Sequence, residues 1–159
     1  MTNRSKSYID RTDIEKILSN WKKVAGLYSR KEWSSSVVRA ATAAEIATNL
    51  AVREELENSK GIDEEFVSHL MIWANGIQGK YQKLILPSVV GKGYETQFKL
   101  ISADIGAINR ERNKIVHGGY FANSLPAYEI IVKARKVILE LVKQYDSDFY
   151  IEEIHLIEE

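Results

Sequence analysis

The stretch DIEKILSNWKKVAGLYS, residues 13–29, decides the fold class. Its apolar side chains recur every three or four residues, which places them on one face of an amphipathic helix. They are Ile14, Ile17, Leu18, Trp21, Val24, Ala25 and Tyr28. Asp13 is the predicted N-cap, because a short acidic side chain accepts hydrogen bonds from the free N–H groups of a first helical turn.

Four more segments show a helical pattern, and no segment has the pattern of a strand. The predicted helices cover residues 34–57, Asp63 to Pro87, Tyr94 to Val116, and Ser124 to Tyr145, with Ser124 as a cap. In the third of the five helices, Phe66, Leu70, Trp73, Ile77, Tyr81 and Leu84 share the predicted apolar face, and Gly76 and Gly79 favour a kink. The sequence therefore predicts an all-α, antiparallel bundle of about five helices.

The bundle is expected to form a single domain over residues 1–159, with a flexible N-terminus at residues 1–12. For the tail at residues 148–159, a strand, a helical turn and a partner-binding strip all remain open. No apolar run approaches the ~20 residues of a membrane span. Residues 1–11 are polar and lack the apolar core of a signal peptide. The chain is therefore expected to be cytoplasmic, without membrane contact, and its lack of cysteine is compatible with a reducing compartment.

The formal net charge is zero. A protein that coats nucleic acid without sequence preference needs a broad basic surface, so the charge argues against that class. A small basic cleft is still compatible with a net charge of zero, because acidic residues elsewhere in the chain cancel its positive charge in the sum.

The segment RERNKIVHGG, residues 110–119, carries the candidate chemistry. Arg112 lies four residues after Ile108 and three before Ile115, so it interrupts the apolar stripe of the fourth helix. Asn109, Asn113 and His117 follow one another at four-residue intervals and form a polar row beside it. A guanidinium at the edge of a core requires a partner, which can be a carboxylate, a backbone carbonyl or a phosphate.

His117 ends this helix, where the helix dipole favours a positive charge. Histidine gains and loses a proton near neutral pH. A phosphate-binding Arg and a proton-transferring His are the minimum set for cleaving RNA through the ribose 2′-hydroxyl without a metal. The two residues are five apart, about 140° around a helix, so convergence on one phosphate requires unwinding near Gly118-Gly119 or a second subunit.

The pattern is an Arg followed directly by Asn, with a His after four intervening residues. It resembles the motif of the HEPN domain family. Arg112, Asn113 and His117 match it, and the resemblance covers residues 94–145. It implies a homodimer in which two motifs face one cleft. It also implies a ribonuclease of toxin–antitoxin or phage-defence systems, with RNA as substrate and an antitoxin as a further partner. Other members of the family are inactive and serve as nucleotide-binding or scaffold modules.

One branch of that family carries a Tyr two residues after the His, whereas Tyr120 comes three residues after His117. Tyr120 and Asn109 are taken as supporting residues. Glu45 is a third, because it shares a helix face with Thr42 and Asn49 and such proteins keep a polar residue near the motif. Two interpretations of Glu45 remain open: it belongs to an ordinary solvated face, or it holds Arg112 or acts on His117.

No zinc site is predicted, because there is no Cys and no pair of His at ligand spacing, and no cofactor is expected. His69 and His155 are expected at the surface, and Trp21, Trp33 and Trp73 in the core. Two functions remain open. In an endoribonuclease, Arg112 binds the scissile phosphate, His117 transfers the proton and Asn113 orients one of them. In a non-catalytic interaction module that binds a protein or nucleotide, the motif is structural.

Overall fold

The computed structural model describes residues 12–159, which are all-α and contain no strand over that range. The helices are α1 Asp13–Ser29, α2 Trp33–Arg53, α3 Glu64–Ala74, α4 Gly76–Lys80, α5 Leu86–Ser88, α6 Glu95–Leu100, α7 Ser102–Gly118 and α8 Ser124–Lys143. π-Helical turns at Glu54–Ser59 and Tyr81–Ile85 extend α2 and α4. The predicted fold class is confirmed. The N-terminal segment predicted to be flexible lies, apart from Thr12, outside the described residues.

Helix α2 is the central helix, and α1, α4, α7 and α8 all pack against it. Its alanines make this possible, because small side chains let neighbouring helices approach closely. Five of them are fully buried: Ala40, Ala43, Ala44, Ala47 and Ala51. The buried apolar side chains of α1, α2, α3, α7, α8 and the tail form one core. The helix face of α2 that carries Glu45 is thereby placed against α4 and α7.

Two predicted helix caps are wrong by one residue. Thr12, rather than Asp13, is the N-cap of α1, and its hydroxyl accepts a hydrogen bond from the N–H of Glu15 at 3.2 Å. Asn123, rather than Ser124, precedes α8, and it makes no capping hydrogen bond through its side chain. Ser124 is buried as the first residue of α8, where its hydroxyl interacts with Tyr28 instead.

The predicted third helix is interrupted at Asn75, which has φ 42° and ψ 120°. Gly76 follows with φ 76°. The break changes which side faces the core: Val67, Met71 and Ala74 are the buried residues of α3. Phe66 and Trp73, predicted on the buried face, are 54% and 62% exposed, so both predictions are wrong.

The predicted fourth helix is two helices, α6 and α7, which are separated by a turn at Ile101 with φ −82° and ψ −3°. Ile101 is fully buried there, and so are Ile105 and Ile108 on the following turns. Ile115, predicted on the same buried side, is only partly buried. The motif is therefore carried by α7 alone.

The tail has no regular secondary structure and packs along the bundle. Phe149 and Ile151 are buried, and the indole N–H of Trp21 donates to the carbonyl of Glu152 at 2.8 Å. Arg135 donates from Nε and Nη2 to the carbonyl of Ile151 at 3.1 and 3.0 Å. Of the structures left open for the tail, neither a strand nor a helical turn is present.

A buried carboxylate joins the π-helical turn after α2 to the loop before α6 and to the end of α8. Glu55 is 1% exposed and accepts hydrogen bonds from Lys92, Tyr94 and Tyr145. Burial alone would raise the pKa of Glu55, but these three donors outweigh it and hold the pKa below its ordinary value. The carboxylate is therefore charged and fully satisfied.

Candidate functional site

The motif lies on an uninterrupted α-helix. Helix α7 continues to Gly118, and Gly119 ends it with φ 65°, donating its N–H to the carbonyl of Lys114. Glycine adopts this left-handed conformation without the penalty that a Cβ brings. His117 therefore stays in the last helical turn, and the unwinding that would bring it beside Arg112 does not occur.

Arg112 is partly buried at the wall of a cleft between α2, α4 and α7. The cleft has a volume of about 190 Å³, room for several water molecules and hence for the oxygens of one phosphate. We call it the Arg112 cleft. Besides Arg112, its polar or backbone-exposing lining residues are Thr42, Glu45, Asn75, Gly76 and Asn109.

The guanidinium of Arg112 makes one hydrogen bond, from Nη1 to Oδ1 of Asn113 at 3.2 Å. Within residues 12–159, no carboxylate lies within ion-pairing distance of Arg112. Because Asn113 is neutral, the positive charge of Arg112 is left uncompensated in a partly buried position. This is the electrostatic arrangement that an anion would complete.

Glu45 lies in the same cleft, but it binds a different cation. Its Oε1 is 2.9 Å from Nζ of Lys80, which lies at the end of α4. The predicted contact between Glu45 and Arg112 is therefore not formed, although Glu45 does lie near the motif. Asn109 also reaches the cleft, where its Nδ2 donates to Oε1 of Gln78 at 3.3 Å and connects α7 to α4.

His117 and Tyr120 lie outside the Arg112 cleft. Both are exposed, and neither lines the cleft. The Tyr120 ring has Nζ of Lys114 5.8 Å from its centroid, and its N–H donates to the carbonyl of Lys114 at 3.1 Å. Within one chain, the structure thus brings together Arg112, Asn113, Asn109 and Glu45, but not His117.

The sequence neighbours of His117 include exposed apolar side chains. Val116 is 45% exposed and Phe121 83% exposed, and Tyr120 lies between them in sequence with a 38% exposed ring. Apolar side chains grouped at a surface favour contact with another macromolecule. Val116, Tyr120 and Phe121 are therefore a candidate contact surface beside His117 in the sequence.

Two residues were missed in the sequence analysis: Asn75, which lines the Arg112 cleft, and Lys80, which pairs with Glu45 beside it. Lys80 lies three residues after Ile77 and four before Leu84, both buried, so it occupies the apolar face of its helix. A lysine at such a position is rarely buried unless it is paired. That interruption is the signal by which it was detectable. Asn75 gave no such signal, because Asn-Gly is a common turn sequence.

His69 and His155 are exposed, as predicted. Trp21 is buried, 4% exposed, and Trp33 is partly buried beside the ring of Tyr28. Over residues 12–159, no three side chains of His, Asp or Glu are grouped closely enough to hold a metal ion. None of the helices in that range combines the length and apolar character that crossing a membrane requires.

Comparison with known proteins adds no family: no family model matches this chain, and no curated protein or solved structure matches it. The function is therefore argued from the site.

Proposed function

We propose that this chain is an endoribonuclease whose active site is completed by a second copy of the chain. The observation that supports it most is the uncompensated charge of Arg112 in a phosphate-sized cleft. Arg112 binds the scissile phosphate and stabilises the charge that develops on its oxygens. Asn113 orients the guanidinium through its hydrogen bond.

His117 moves the proton. Its imidazole accepts the proton of the ribose 2′-hydroxyl as the 2′-oxygen attacks phosphorus. The bond between phosphorus and the 5′-oxygen then breaks, and the imidazolium returns the proton to that leaving oxygen. The products are a 2′,3′-cyclic phosphate and a 5′-hydroxyl, and no water or metal enters the balance.

A homodimer supplies the geometry that one chain lacks. Because α7 stays helical to Gly118, Arg112 and His117 of one chain diverge by about 140°. In the proposed dimer, two copies pack through the exposed side chains of Val116, Tyr120 and Phe121, and His117 of one chain acts at the Arg112 cleft of the other. Symmetric dimers are the commonest oligomers, and their contact patch is the same on both chains. A toxin–antitoxin or defence role is a further part of the proposal and depends on the motif alone.

The test is cleavage of a labelled RNA pool in EDTA, with analysis of the product ends. Wild-type protein is expected to leave 2′,3′-cyclic phosphate, and His117→Ala to leave RNA intact. His69→Ala is the matched control, because it removes an equally exposed imidazole from α3. Folded, dimeric wild-type protein that cleaves none of the pool would argue for the non-catalytic interaction module instead.

A further inference from the structure

The Arg112 cleft adjoins a second cavity. This neighbouring groove shares Glu45, Asn75 and Gly76 with the cleft, so the two cavities lie side by side. We call this second cavity the side groove. Its other lining residues are Arg53, Ser68, Met71, Ile72 and Lys80. Its volume of about 430 Å³ is more than twice that of the Arg112 cleft.

Lys80 is buried at the junction. The residue is 9% exposed, and its Nζ donates one hydrogen bond to Oε1 of Glu45 at 2.9 Å. An ammonium group has three donors, so two remain after Glu45 is satisfied. The Glu45 side chain is 40% exposed. The ion pair therefore opens toward solvent, with Glu45 holding the ammonium in place.

The charges that line the two cavities are unequal. Arg53, Lys80 and Arg112 are cations, and Glu45 is the one carboxylate among the lining residues. Arg53 contacts Glu57 at 2.7 Å and Lys80 contacts Glu45 at 2.9 Å, which leaves Arg112 without a carboxylate partner among the lining residues. A surplus of positive charge is thus concentrated here in a chain whose net charge is zero.

We propose that Lys80 forms a second phosphate subsite beside the one at Arg112, so that the site takes single-stranded RNA through two neighbouring phosphates. This inference rests on the proposed function. Met71 and Ile72, which line the side groove, offer an apolar wall to the face of an unpaired base. In a duplex, stacking on the neighbouring bases covers both faces of a base, so this wall selects for single strands.

The experiment measures how affinity depends on RNA length. Oligonucleotides with 2′-O-methyl riboses cannot be cleaved by this chemistry, so binding is separated from turnover. A dinucleotide with one phosphate and a hexanucleotide are titrated into wild-type protein, Lys80→Met and Lys80→Arg. Methionine keeps the apolar stem of lysine and removes its charge. Lys99→Met is the matched control, because Lys99 also forms one ion pair, with Glu95, and lines neither cavity.

Wild-type protein and Lys99→Met are expected to bind the hexanucleotide far more tightly than the dinucleotide. In Lys80→Met, the gain in affinity from the dinucleotide to the hexanucleotide should be about tenfold smaller. Because one phosphate contact is lost, the slope of log affinity against log salt concentration should also become shallower by about 0.7. Lys80→Arg should restore most of the gain. If Lys80→Met does not fold, the paired change of Glu45→Gln with Lys80→Met removes both charges and takes its place.

The two proposals fail in different ways. Wild-type protein that cleaves RNA while Lys80→Met keeps the full length dependence overturns the second subsite alone. A Lys80→Met loss that is equal for both oligonucleotides also overturns it, because Lys80 would then act on the single phosphate at Arg112. Wild-type protein that neither binds nor cleaves any RNA overturns the proposed function, and the second subsite with it.

Discussion

The guanidinium of Arg112 donates a hydrogen bond from Nη1 to Oδ1 of Asn113, the next residue in the chain, across 3.2 Å. A partly buried arginine in a folded protein usually has a carboxylate partner. Here the partner is a neutral amide, which holds the guanidinium in place without cancelling its charge. Arg112 is oriented but still able to bind an anion.

Replacing Arg112 is expected to reduce cleavage far more than stability. Arg112→Ala should lower kcat/KM by about 10²–10³, the usual effect of removing one donor to a developing negative charge. The kcat/KM of Arg112→Lys should lie between those of wild type and Arg112→Ala, because an ammonium group keeps the charge but lacks the planar, two-pronged geometry of a guanidinium. The free energy of unfolding should change by less than about 1 kcal/mol, since no ion pair is lost. Cleavage kinetics and urea unfolding of the same preparations measure both, and a large loss of stability would show a structural role.

Replacing Asn113 tests the charge of Arg112 without removing Arg112 itself. Asn113→Asp places a carboxylate at the atom that now accepts from Arg112, so the charge of the guanidinium is neutralised within the chain. We expect about a tenfold or larger loss of kcat/KM, with stability unchanged or raised. Asn113→Ala, which removes the contact but leaves the charge, should lose less. Equal activity of the two variants would mean that the charge of Arg112 is not used.

Mixing two inactive variants tests whether the site spans two chains. Arg112→Ala and His117→Ala chains, unfolded together and refolded, should regain about one quarter of wild-type activity. The reason is that half of the random dimers are mixed and each mixed dimer holds one intact site of two. Each variant refolded alone is the control. A mixture as inactive as the controls would show that Arg112 and His117 of one chain act together.

The sequence predicted the features that depend on local periodicity. The bounds of α1 were predicted as observed, because its apolar stripe runs without interruption from Ile14 to Tyr28. For the third helix, Gly76 and Gly79 predicted a kink but not a full interruption, because a helical pattern continues across Asn75 although the backbone breaks there. Periodicity reports which residues would share a face, and it does not report that a helix stops and starts again at a new angle.

Contacts between distant segments were also beyond prediction. Glu45 was selected from its helix face, yet its partner is Lys80, 35 residues away, and the packing of α4 on α2 determines that pairing. Glu55 is similar: its partners are 37, 39 and 90 residues away. In sequence, Glu55 is one of several acidic residues that end a helix.

The Glu55 cluster predicts an acid-sensitive contribution to stability. The pKa of Glu55 is lower in the folded chain than its ordinary value, so the folded state favours the charged form. That stabilisation is complete above the ordinary carboxyl range, near pH 4.3, and is lost as pH falls through the lower folded value. Glu55→Gln should cost about 2–3 kcal/mol at neutral pH.

Urea unfolding between pH 7 and pH 3 measures this effect. Wild-type protein should lose stability more steeply than Glu55→Gln as the pH falls, so the two curves approach each other. The control is Glu65→Gln, which removes an exposed carboxylate from the first turn of α3. Parallel curves for wild type and Glu55→Gln would contradict the prediction.

The helix break at Asn75 makes Gly79 irreplaceable. A Cβ added at Gly79 would lie 1.8 Å from the carbonyl oxygen of Ala74, and a backbone oxygen cannot move without altering the break. Gly79→Ala is therefore expected to destabilise the fold by about 2–4 kcal/mol. Because the break supplies Asn75 and Gly76 to both cavities, RNA cleavage should fall as well.

Two controls separate this contact from the general effect of alanine in a helix. Gly26→Ala, in the interior of α1, meets only the tip of the Arg30 side chain at 3.2 Å, so it should stabilise the chain by about 0.5–1 kcal/mol. Asn75→Gly should also stabilise it, by about 1 kcal/mol, because φ 42° is a conformation that glycine adopts more easily. Urea unfolding measures the stability of the three variants. Gly79→Ala and Gly26→Ala are expected to change it in opposite directions. Equal effects of these two variants would show that the carbonyl of Ala74 does not restrict residue 79.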